Sequence, residues 1–112
     1  MYKDYKELLR FMSDECKFLD ELLSKGLTYE TLQVDEILKR AIVKSIENIG
    51  EAGSKIPFEQ RDKWNTIAWK EVVGIRMRLA HDYWGVNYEI VWDVLVRKVP
   101  VLKTQIENIL NG

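Results

Sequence analysis

Apolar residues recur at three- and four-residue spacing along most of this chain, a period that suits helices and little else. Tyr5, Leu8, Leu9, Met12, Cys16, Leu19, Leu22 and Leu23 make the first stripe. It predicts an amphipathic helix over residues 2–24, stopped at "SKGL" with Gly26 as its C-terminal cap. A second stripe, Val34, Leu38, Ala41, Ile42, Ile46, Ile49 and Ala52, predicts the longest helix of the chain, residues 31–56. Gly50 and Gly53 sit inside it, and each costs about 1 kcal/mol relative to Ala unless close approach of another backbone recovers the loss. Pro57 breaks the pattern, and "PFEQRDKWN" reads as an irregular connection holding one short turn of helix.

A third helix is expected over residues 67–81. In "WGVN", Gly85 can stop it and Asn87 can cap the next, which runs through Tyr88, Val91, Trp92, Leu95 and Val96. Pro100 kinks or restarts the chain before "VLKTQIENIL". There is no internal repeat, low-complexity segment or convincing strand alternation. The expectation is an all-α, antiparallel bundle of four to five helices forming one domain over residues 1–112.

The balance of 46% hydrophobic and 31% charged residues suits a packed helical domain and argues against disorder. A net charge of -1 gives no overall basic character, so any nucleic-acid contact must come from a local patch. The lone Cys16 cannot form an internal disulfide and reads as a buried or half-buried thiol. No apolar run approaches the ~20 residues that span a bilayer, and the N-terminal stretch lacks an uninterrupted signal-type segment. A cytoplasmic protein with no membrane partner is expected.

The stretch "GIRMRLAHDYW" holds the only histidine, His81. With Val72 at zero and about 100° per residue, Trp69, Val72, Val73, Ile75, Met77, Leu79 and Ala80 share one apolar arc. Arg76 falls inside that arc, whereas Arg78 lies on the polar side with Glu71 and Asp82. A guanidinium facing a core needs an anion or a water-filled cleft. Two explanations stay open: an internal ion pair with Glu47 or Glu51, or a cleft that receives an anion. Met77, at the edge of the arc, reads as core. Tyr83 falls close to Arg76, but His81 lies about 140° away on an ideal helix. Either the helix loosens near Gly85 or a second copy of the chain completes the site, as a two-fold dimer can do.

Such a trio suits one reaction in particular. A histidine with an unperturbed pKa near ~6.5 can take a proton from a hydroxyl or give one to a leaving oxygen. An arginine can hold the charge that builds on phosphoryl oxygens. RNA supplies its own nucleophile in the 2′-hydroxyl, so its phosphodiester can be cut without a metal. Glu47 and Glu51 lie one turn apart but lack a Glu-x-x-His companion, so no metal or other cofactor is expected. Of the four tryptophans, Trp84 beside the histidine can stack a base while Trp64, Trp69 and Trp92 read as core. Arg61, Lys63, Lys70 and Arg78 are the nearby cations and read equally as RNA-steering or simply solvated; Lys98 and Lys103 need no role.

"RMRLAHDY" fits the Arg, four residues, His, any residue, Tyr motif of the HEPN superfamily, and the chain from about residue 35 onward resembles its HepT branch. "ENIGEAGSKI", "WKEVVGIRMRLAHDYWGVNYEIVW" and "VPVLKTQIENIL" carry the likeness. The resemblance implies a homodimeric HEPN bundle with the motifs of two subunits in one cleft. It implies an endoribonuclease toxin with Arg76 and His81 as the catalytic pair. It also implies an antitoxin, a minimal nucleotidyltransferase like MntA, that adds AMP to Tyr83. Met77 departs from the polar residue usual after the motif arginine, and Asp82 or Asn87 would then supply the missing support. The alternative reading is a non-catalytic HEPN-type module that binds a nucleotide or docks a nucleotidyltransferase.

Overall fold

The computed structural model describes residues 4–79 and 86–112. The described residues form helices α1 (Lys6–Ser24), α2 (Tyr29–Val34), α3 (Glu36–Ser54), α4 (Phe58–Lys63), α5 (Trp69–Leu79), α6 (Tyr88–Asp93) and α7 (Val99–Asn111), with a π-helical turn, Val94–Lys98, leading into α7. No strand occurs among them. The all-helical expectation holds.

Local chemistry sets the boundaries. Gly26 adopts a φ of 99°, and its N–H donates to the Leu23 carbonyl while the Leu27 N–H donates to the Leu22 carbonyl. Those two bonds close α1 in a left-handed turn that glycine enters without the steric cost of a Cβ. The expected continuous helix over 31–56 is instead two helices. Asp35 takes an extended conformation, and its carboxylate accepts from the Ile37 and Leu38 N–H groups, so it starts α3 afresh. At 19 residues α3 is no longer than α1, which corrects the expected ranking. Asn87 caps α6 as expected, accepting from the Glu89 and Ile90 N–H groups. The connection after Pro57 contains α4, and Arg61 of that helix donates from Nε to the Ile56 carbonyl at 2.8 Å and from Nη2 to Gly53 at 3.3 Å. Arg61 therefore closes the C-terminus of α3.

Packing registers make α1 and α3 antiparallel: Glu15 meets Ser45 and Asn48, while Leu8 and Phe11 share a cleft with Ala52 and Lys55. α3 and α5 are antiparallel too, with Gly53 against Trp69 and Val72, and Gly50 against Val72 and Ile75. α1 also packs on α7, where Lys103 donates to Asp20 at 3.1 Å. One apolar cluster runs through these helices, including Leu9, Met12, Leu19, Ile42, Ile46, Leu79, Leu95 and Ile106. Among the described residues no helix is long and apolar enough to cross a membrane.

The two glycines of α3 are the tightest points. A Cβ on Gly50 would lie 2.9 Å from Ile75 Cγ2 and 3.1 Å from the Val72 carbonyl oxygen; one on Gly53 would lie 3.1 Å from Val72 Cγ1. The close backbone approach expected from the sequence is present. Gly50→Ala should destabilise the fold by about 1–3 kcal/mol in urea unfolding, because a backbone oxygen cannot yield. Gly53→Ala meets only a methyl group and should cost less, since helix propensity offsets part of the clash by about 1 kcal/mol. Equal effects at the two positions would contradict this packing.

Cys16 is fully buried, and burial pushes its thiol up from 9.0 to about 12. The native thiol therefore stays protonated while an unfolded one ionises, so its stabilising contribution is present below pH ~9 and is lost as pH rises towards 12. Native protein at pH 8 should react with a thiol reagent orders of magnitude more slowly than urea-unfolded protein; similar rates would show the burial to be wrong.

Candidate active site

α5 carries the arginines of the "GIRMRLAHDYW" stretch. Its buried residues are Trp69, Val72, Ile75 and Leu79, a narrower stripe than the apolar arc read from the sequence. Arg76 projects between Val72 and Trp69 on a helical wheel yet is not interior: its side chain is 54% exposed. Gly50 explains how. With no side chain there, the Arg76 stem lies over the backbone of α3, its Cγ 3.5 Å from where a Gly50 Cβ would be. The guanidinium emerges beyond it, and Nη1 donates to Glu51 Oε2. Long cationic side chains commonly bury the stem and keep the head in water.

The open choice between Glu47 and Glu51 falls to Glu51, one residue after the glycine, while Glu47 is half-buried one turn earlier. The pair is exposed, and so is not the internal ion pair that formed one of the two open explanations. Met77 corrects a second expectation. It is 84% exposed, because the flank of α5 beyond Val73 is not covered by any described element. Arg78 is exposed, as a polar-side residue should be. His81, Asp82, Tyr83 and Trp84 lie outside the described residues.

The arrangement offers a solvent-facing guanidinium, held by a carboxylate that an incoming anion can replace, on the helix that leads into the histidine. Exposed ion pairs are worth about 0–1 kcal/mol, whereas a phosphate can engage a guanidinium through paired hydrogen bonds. Among the described residues no group of three or more His, Cys, Asp and Glu side chains is placed to share a metal ion. Lys98, which the sequence leaves without a role, and its neighbour Arg97 join Arg78 beside a groove on another side of α5. They are about 20 residues further along the chain, so only packing brings them together.

A helical bundle presenting an Arg, four residues, His, any residue, Tyr stretch defines the class. Residues 5–109 match the family described as "Ribonuclease HepT-like". The chain belongs to this HepT-like branch of the HEPN proteins. It is 41% identical over 108 residues to a protein of Caldanaerobacter subterraneus subsp. tengcongensis named "Putative RNase", covering 96% of each chain. A Methanocaldococcus jannaschii protein with the same designation is 34% identical, over 94% of this chain and 88% of its own. "Probable ribonuclease HepT" of Thermococcus cleftensis is 26% identical, over 97% and 98%. No solved structure matches.

The exposure of the pair sets its energetic weight. Glu51→Ala should change unfolding free energy by less than about 1 kcal/mol in urea titrations. A loss above about 3 kcal/mol would mean that the pair is desolvated in the working protein.

Proposed function

We propose that the protein is a metal-independent endoribonuclease and the toxin of a toxin–antitoxin pair, working as one HEPN-like domain, residues 1–112, in a homodimer. The relatives named as ribonucleases bring RNA forward as the substrate. The observation that carries the reading is Arg76, seated over Gly50 with its charged end in solvent, five residues before the only histidine.

In this reading His81 accepts the proton of an RNA 2′-hydroxyl as that oxygen attacks the adjacent phosphorus. The bond to the 5′ oxygen breaks, and the imidazolium returns a proton to it. The products are a 2′,3′-cyclic phosphate and a 5′-hydroxyl, with no water consumed and no metal required. Arg76 leaves Glu51 to bind the non-bridging oxygens, whose charge grows in the transition state. Asp82 and Arg78 support the strand, and Trp84 stacks a base. Tyr83, two residues after His81, is the acceptor for AMP from a nucleotidyltransferase antitoxin of the MntA kind. The added phosphate would compete with substrate for Arg76.

Purified, unmodified protein incubated with total RNA in EDTA should yield fragments ending in cyclic phosphate, and His81→Ala should yield none while keeping its helicity and oligomeric state. Cleavage retained by His81→Ala would remove this mechanism. No cleavage by the wild type, with its mass confirming a free Tyr83, would favour a non-catalytic module that partners a nucleotidyltransferase.

A further inference from the structure

A groove of about 200 Å³ lies where α3, α5 and α7 meet, floored by Ile46, Ile49, Val72 and Leu102. Three cations line it from two elements: Arg78 of α5, and Arg97 and Lys98 of the π-helical turn. Glu71 is the one carboxylate among its lining residues. We propose that this groove is a second RNA contact, which takes one unstacked base on its apolar floor and the flanking phosphates on Arg78, Arg97 and Lys98. The proposal rests on the ribonuclease reading for the identity of the polymer.

Size argues for a single ring. A cavity of roughly 150 Å³ accepts benzene, so this groove has room for one nucleobase. Charge argues for a polyanion: the lining carries three positive groups against one negative. Among the described residues, Arg97 pairs with Asp93 at 3.4 Å and Lys98 with Glu71 at 3.7 Å, both weak and exposed. Phosphate can displace such partners at little cost. Guanidinium planes also stack on unpaired bases, which suits Arg78 and Arg97 at the rim. The π turn adds a further sign, because this uncommon geometry recurs at functional sites.

Location ties the groove to Arg76. Residues two apart on a helix project to nearly opposite sides, so Arg76 and Arg78 flank α5. A strand crossing this one helix reaches both. Gln105, also in the lining, donates one Nε2 hydrogen to the Thr66 carbonyl at 2.7 Å, which leaves its second N–H and its Oε1 for a base edge.

The test uses full-length protein carrying His81→Ala, so that RNA survives the measurement. Binding of a fluorescein-labelled single-stranded RNA is followed by anisotropy across a salt series, with and without Arg97→Ala/Lys98→Ala. Both side chains are exposed, and circular dichroism checks the fold. Affinity should fall about tenfold, and the salt slope should drop by about 1.4 for two lost phosphate contacts. On the catalytically intact background the double variant should raise KM and leave kcat unchanged. Val101 lines the groove and is exposed, and Cys16 is buried, so Val101→Cys provides one reactive thiol whose labelling RNA should slow.

An unchanged affinity and salt slope would overturn the proposal. So would protection of the Val101→Cys thiol by poly-glutamate but not by RNA, which would point to an acidic protein partner. Binding and protection do not require cleavage. A wild type that cuts nothing, while RNA still protects the thiol, would overturn the ribonuclease reading and uphold the groove.

Discussion

The contact between α3 and α5 at Gly50 and Gly53 governs the architecture. Removing two side chains from α3 lets the backbone and side chains of α5 come within distances that a Cβ could not share. Helix propensity loses about 1 kcal/mol at each position, and close packing of Val72, Ile75 and Trp69 against α3 offsets it. From this one approach follow the axis of α5, the side of it that faces α3, and the point at which Arg76 leaves the interface.

That departure resolves an apparent conflict in the sequence. A guanidinium on an apolar arc threatens a desolvation cost of several kcal/mol. Because the facing residue is glycine, the aliphatic stem supplies apolar contact while the charge never enters the core. Glu51, the next residue of α3, then meets the emerging head. Packing and charge placement are two results of the same pair of neighbouring positions.

Much of the bundle was legible because its cues are local. The stripe of α1, the left-handed turn at Gly26 and the cap at Asn87 each depend on residues within a few positions. The need for a close neighbour at Gly50 and Gly53 was legible too, though not which helix would supply it. What failed had two causes, a local cue masked by a stronger pattern and partners distant in the chain. The break at Asp35 was hidden because the apolar spacing continues across it from Val34 to Leu38. Met77 looked interior because a wheel shows which residues share a face but not how much of that face a neighbour covers. Arg97 and Lys98 had no local signal at all, since their relation to Arg78 exists only once α7 has packed. Of the motif residues, Arg76 could be placed in space, while His81 and Tyr83 rest on the resemblance.

The glycine contact also bears on mechanics. Where two helices meet through long side chains, rotamer changes absorb small displacements; where one side is bare backbone, there is little slack to absorb them. α3 and α5 should therefore shift as one rigid lever. A load placed on the outer face of α3, by a second subunit or by any protein that settles there, would be delivered to the arginine helix undamped.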